Sequence, residues 1–130
     1  MLSRKQIFDL WLDALESGKY TQGSGFLYSQ SGTFCVLGVL TDIYIKNNPK
    51  YDHWSKIGEW HSMPGSRTVC HLPDEIVTFM GFKSNLGKLN EPIEDCWSLA
   101  HANDNGISFK QIAHFLRVYG LEVLQIEYKI

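Results

Sequence analysis

The amino-acid sequence predicts an α+β fold, about five helices packed on a small antiparallel sheet, as one globular domain over residues 1–130. Three observations carry that reading. Two capping boxes, Ser3 with Gln6 and Ser108 with Gln111, each open a stretch whose apolar residues recur at helical spacing. A run at 36–46 is apolar on nearly every side, as a helix central to a core must be. At the C-terminus Leu124, Ile126, Tyr128 and Ile130 alternate with polar residues, the period of a half-buried strand.

Taken along the chain, the first helix turns Ile7, Leu10, Trp11, Ala14 and Leu15 to one face and stops at Gly18. A glycine-rich loop at 18–25 follows. The β-prone runs 26–28 and 33–35, separated by Ser29, Gln30, Ser31 and Gly32, predict a hairpin. Residues 36–46 then form the central helix. Gly38 inside it costs ~1 kcal/mol relative to alanine, which predicts a close approach by another element. Asn47, Asn48 and Pro49 end that helix, and the stretch 47–71 suits short strands and loop equally. Pro73 at a first helical position, with Asp74 and Glu75 behind it, opens a helix that Gly81 ends. Asn90 and Pro92 predict another, with Ile93, Trp97 and Ala100 inward. The helix opened by Ser108 turns Ile112, Phe115, Leu116 and Tyr119 inward and closes at Gly120.

At 44% hydrophobic and 20% charged residues, the chain has the composition of a folded domain with a core of its own. The net charge of −2 and the scattering of its 12 basic residues argue against duplex nucleic acid, whose affinity comes from clustered cations on phosphates. A small anionic ligand needs only two or three local positive groups and stays open. Cys35, Cys70 and Cys96 are widely spaced with no C-x-x-C pair, which suggests neither a disulfide framework nor a zinc knuckle. The N-terminal residues carry charges throughout, and no apolar run approaches the ~20 residues of a membrane span. The expectation is a cytoplasmic protein with no membrane partner, metal or cofactor, and with a homo-oligomer left open.

Four constellations could carry chemistry. Cys35, at the start of the central helix, is placed where a helix N-terminus favours a thiolate. Gln22, His101, Asn103 and Asp104 could complete a cysteine hydrolase or transferase, but a free cysteine in an apolar run is first of all a buried hydrophobe. His53, His61, His71, His101 and His114 lack the local pairing of a zinc site. The loop of Lys19, Tyr20, Gln22, Gly23 and Gly25 offers close backbone approach, a charge and a stacking face, against the plain reading of a helix stop leading into a strand. Asn103 and Asp104, in ordinary turn chemistry, could also hydrogen-bond a ribose or base edge. Tyr20, Trp54, Trp60 and Trp97 are available to stack.

The run WLDALESGKYTQGSGFL, then FCVLGVLTDIY, then residues 72–81 and LAHANDNGISFKQIA at 99–113, resembles a family of small uncharacterised tailed-phage and prophage proteins. That family has the pattern SGxYxQGxGxL, FCxLGVxxD and NDxGxSFxxIA. Where it often carries further cysteines, this chain has Val36 and Thr41, which weakens the cysteine-chemistry reading. The resemblance implies a phage accessory protein acting inside a bacterial cell. The leading expectation is an anti-defence protein that binds and sequesters a small nucleotide-type immune signal without catalysis, through Lys19, Tyr20, Gln22, Gly23, Gly25, Arg67, Asn103 and Asp104. A protein-binding inhibitor of a host defence enzyme is the alternative.

Overall fold

The computed structural model describes residues 1–126. The order is α1 (Arg4–Glu16), α2 (Val36–Lys46), β1 (Ser55–Ile57), β2 (Trp60–Ser62), α3 (Asp74–Met80), β3 (Lys88–Ile93), β4 (Cys96–Ser98), α4 (Leu99–Asp104), α5 (Phe109–Tyr119) and a 3-10 turn at Leu121–Leu124. The α+β class stands, with its antiparallel pairing divided between two hairpins, β1–β2 and β3–β4. Among the described residues no helix is long and apolar enough to cross a membrane.

Both capping boxes form as expected, each hydroxyl accepting from the N3 backbone while the N3 glutamine side chain answers the cap N–H. Between those helices lies the core. The α1 helix packs on both α2 and α5, and this double contact rotates its buried stripe to Ile7, Phe8, Trp11, Leu12 and Leu15, leaving Leu10 and Ala14 half-buried. The α5 helix buries Phe109, Ile112, Ala113 and Leu116, with Tyr119 exposed. Fully burying a side chain of this size is worth roughly 1.5–3 kcal/mol. The one polar atom of Trp11 is satisfied too: its indole N–H donates to the Val36 carbonyl at 3.0 Å.

The central helix keeps its expected bounds, and its glycine has the expected reason. A Cβ on Gly38 would lie 1.6 Å from the Leu27 carbonyl oxygen, so the backbone of the preceding segment rests directly on the helix. That segment is a reduced hairpin, held by a single antiparallel bridge between Tyr28 and Phe34. Its turn closes through the Ser29 N–H on the Thr33 carbonyl at 2.8 Å.

Three expectations are corrected. Residues 90–98 form no helix: Leu89, Ile93 and Cys96 are buried from strands, and helix begins only at Leu99, with Ser98 as its cap. Glu94 and Asp95 take positive φ values of 46° and 66° in the two-residue turn between Ile93 and Cys96, the backbone that matches strand twist in tight hairpins. Pro73 is the N-cap of α3 rather than its first helical residue. At the C-terminus the chain makes the 3-10 turn through Leu124 and then bridges Gln125 to Phe82. The expected strand fails there because Leu121, Val123 and Leu124 are all buried; its remainder, 127–130, lies outside the described residues.

Candidate functional site: an aromatic pocket over Asp42

Asp42 lies within α2 at 5% exposure, the one carboxylate of a helix otherwise surrounded by core. A buried carboxylate is costly unless its oxygens are answered by donors, and here three converge. The Tyr20 hydroxyl donates to Oδ2, the Lys46 ammonium one turn along approaches the same oxygen at 2.9 Å, and the Trp54 indole N–H donates to Oδ1 at 3.0 Å. Burial, and then the Asp42 carboxylate beside it, push the Tyr20 phenol up to about 12. The Lys46 ammonium is held above its ordinary value by its bond to Asp42. Both groups therefore remain hydrogen-bond donors at neutral pH.

Aromatic rings build walls above this floor. Tyr28 stacks on Phe34 with centroids 4.2 Å apart and on His61 at 3.8 Å, while Tyr20 meets Phe34 edge-on at 5.0 Å and Trp54 meets Tyr28 edge-on at 5.2 Å. The bridge across the 29–32 turn sets the Tyr28–Phe34 pair, and the Phe34 N–H on the Thr21 carbonyl ties it to the loop carrying Tyr20. Lys19, Tyr20, Tyr28, Phe34, Asp42, Lys46 and Trp54 enclose a pocket of about 420 Å³, within the range of small-molecule sites.

Of the residues singled out from sequence, Lys19, Tyr20 and Trp54 line this pocket. Gln22, Gly23, Gly25, Asn103 and Asp104 do come together, but in a structural knot. Asn103, 3% exposed, uses all four of its hydrogen-bonding positions. Its oxygen accepts from the Val36 N–H and the Gln22 amide, both at 3.0 Å, and its nitrogen donates to the Gly23 carbonyl at 2.7 Å and to Asp104 at 3.3 Å. Gln22 also donates to the Ile107 carbonyl at 2.9 Å and accepts from the Phe109 N–H at 3.1 Å. Asp104 accepts from the Gly25 N–H at 3.1 Å. Gly23 is small because a Cβ there would meet the Thr33 hydroxyl at 2.2 Å. These groups seal the start of α2 and of α5, and their polar capacity is taken up inside the protein.

Arg67 lies elsewhere, on a polar cleft of about 720 Å³ with Lys50, Ser66, Thr68 and Glu75 among its walls. Glu75 accepts from the hydroxyls of Tyr44 at 2.6 Å and Tyr51 at 2.5 Å, with Lys50 at 3.4 Å. Burial would raise its carboxyl, but those donors outweigh it and hold it below the usual range. Trp60 stacks on Phe26, and Trp97 stands 54% exposed on β4.

Asp42, Lys46, Tyr28 and Phe34 were missed as site residues. A signal was present: one acid inside an otherwise apolar helix, with a lysine four residues on.

Cys35 is the N-cap of α2, as expected, but it is 5% exposed, and burial pushes its thiol up to about 11 against the lowering effect of the helix N–H groups. His101 points to solvent on α4, and the Gln22 and Asn103 amides are occupied as described. In the folded protein a water-soluble thiol reagent should therefore modify exposed Cys70 promptly and reach Cys35 and Cys96 only on unfolding. Mass spectrometry of the labelled peptides checks this, and rapid labelling of native Cys35 would revive the nucleophile.

Residues 3–119 match the model of a family described as a domain of unknown function, DUF8296. No curated protein and no solved structure matches the chain.

Proposed function

We propose that this chain, which belongs to the DUF8296 family, is a binding protein that holds and sequesters a small nucleotide-type ligand without catalysis. The single observation behind this reading is the aromatic pocket floored by Asp42. Tyr28 is covered on its faces by Phe34 and His61, so Tyr20 and Trp54 are the rings offered to a base, and stacking is worth ~1–3 kcal/mol per base. Lys19 at its wall, with Lys46 bonded to Asp42 behind it, is the cation an attached phosphate needs. Sequestration rather than turnover is favoured because the polar groups here are donors held in their protonated forms and the cysteine lies in the core. The resemblance to tailed-phage proteins supports the setting: a phage accessory protein in the bacterial cytoplasm, acting against a nucleotide immune signal.

A thermal-shift panel of cyclic di- and trinucleotides and ADP-ribose isomers tests the reading. At 100 times Kd a true ligand should stabilise the fold by ~2.7 kcal/mol. Trp54→Ala should weaken that ligand roughly 10- to 100-fold, the loss of one stacking wall, while Trp97→Ala leaves it unchanged. No stabilisation by any member of the panel overturns the proposal.

A second reading, a protein-binding inhibitor of a host enzyme, is favoured by a separate apolar cleft on α5. Ile93, Phe115 and Val118 line it, and Val118 is 66% exposed.

A further inference from the structure

Three clefts share walls. The aromatic pocket and a smaller cleft of about 250 Å³ have Trp54 in common. That smaller cleft shares Lys50, Tyr51 and Pro64 with the polar cleft that holds Arg67. Lys19 and Lys46 stand at one end of the run, Lys50 in its middle and Arg67 at the far end.

The carboxylates along the run fall into two kinds. Asp42 and Glu75 are each answered by three donors. Asp52 and Asp74 are exposed at the edges, where water screens them. Arg67 is the contrast among the cations. The chain has three arginines. Arg4 donates to the Phe79 carbonyl at 2.8 Å, and Arg117 clasps Asp13 and Glu16. Arg67 alone of them is exposed with no side-chain partner among the described residues. Its planar fork of donors suits a phosphate held by two bonds, and the Ser66 and Thr68 hydroxyls stand beside it in the cleft.

We infer that the ligand is a two-unit nucleotide, two nucleosides joined through phosphate, which seats one base in the aromatic pocket and extends past Trp54 so that Arg67 holds its distal phosphate, with Lys50, itself paired to Glu75, alongside. The inference rests on the nucleotide reading above and narrows it: a mononucleotide would fill the pocket and leave Arg67 unused.

Calorimetric titration of the full chain with cyclic dinucleotides, linear dinucleotides and the matching 5′-mononucleotides separates the possibilities. The expected result is a two-unit ligand binding at least about 10-fold more tightly than its mononucleotide, a conservative share of what charge-assisted contacts to phosphate supply. Arg67→Ala should remove that advantage, reduce the salt dependence of the two-unit ligand by about one unit of log–log slope, and leave the mononucleotide unchanged. Arg67→Lys should retain part of the advantage. Because Arg67 is exposed and unpartnered, the alanine variant should melt with the wild type. Equal affinities for both ligand sizes, with Arg67→Ala neutral, would overturn the extended site and leave the pocket reading standing. Binding of neither size would remove the nucleotide reading and this inference with it.

Discussion

Replacing Gly38 with alanine is expected to destabilise the protein by on the order of 3 kcal/mol, the upper range for overpacking a filled core. Helix propensity alone predicts the opposite, since alanine in mid-helix is favoured over glycine by ~1 kcal/mol. Packing decides the sign here. The added Cβ would lie 1.6 Å from the Leu27 carbonyl oxygen, 2.4 Å from its carbon and 2.8 Å from its Cα, all backbone atoms that no rotamer change can move. Leu27 is fully buried and its N–H is tied to the Val69 carbonyl at 2.9 Å, so retreat would cost further contacts. The next residue is Tyr28, a wall of the aromatic pocket, so the substitution should weaken ligand binding as well. Urea denaturation measures the loss. A variant more stable than wild type would show that the close approach between Leu27 and α2 does not exist.

Asn103→Leu should cost about 3 kcal/mol, because a buried polar group left without its partner loses ~1–3 kcal/mol and several are stranded together. Leucine keeps the branched skeleton of asparagine but is bulkier, so no cavity opens and the deficit combines stranded hydrogen bonds with some overpacking. The Val36 N–H loses its acceptor at the start of α2, the Gly23 carbonyl loses its donor, and Gln22 keeps only its bonds to Ile107 and Phe109. A fall in melting temperature of roughly 10 °C is the expected scale for a chain of this length. Wild-type stability would instead mean that Asn103 is free to serve a ligand, as the sequence alone suggested.

What the sequence disclosed was local. The Ser3–Gln6 and Ser108–Gln111 boxes need only residues three apart, and both form. The bounds of α2 were readable because nearly every residue in it is apolar, and Gly38 stood out against that background. Residues 90–100 misled for a related reason. Ile93, Trp97 and Ala100 are spaced as on a helix, whereas the hairpin depends on Glu94 and Asp95 both adopting left-handed backbone, which Asp tolerates but Glu does not announce in sequence. The knot around Asn103 shows the limit from the other side. Gln22, Gly23 and Asn103 do meet, yet the groups that suit a ligand also suit an internal cap, and only the count of occupied hydrogen-bond positions separates the two uses. Asp42 was concealed by its apolar neighbours; its partners Tyr20 and Trp54 lie 22 and 12 residues away in sequence, beyond any local pattern.

Ligand seating over Asp42 can be watched directly. The chain has four tryptophans, and their indole N–H groups give separate nuclear magnetic resonance signals. The Trp54 N–H bonds the pocket carboxylate, and the Trp11 N–H bonds the Val36 carbonyl in the core. Titration with whichever nucleotide stabilises the fold should shift the Trp54 signal in proportion to occupancy and leave those of Trp11 and Trp97 in place. Saturating ligand with an unmoved Trp54 signal would contradict the pocket as the binding site.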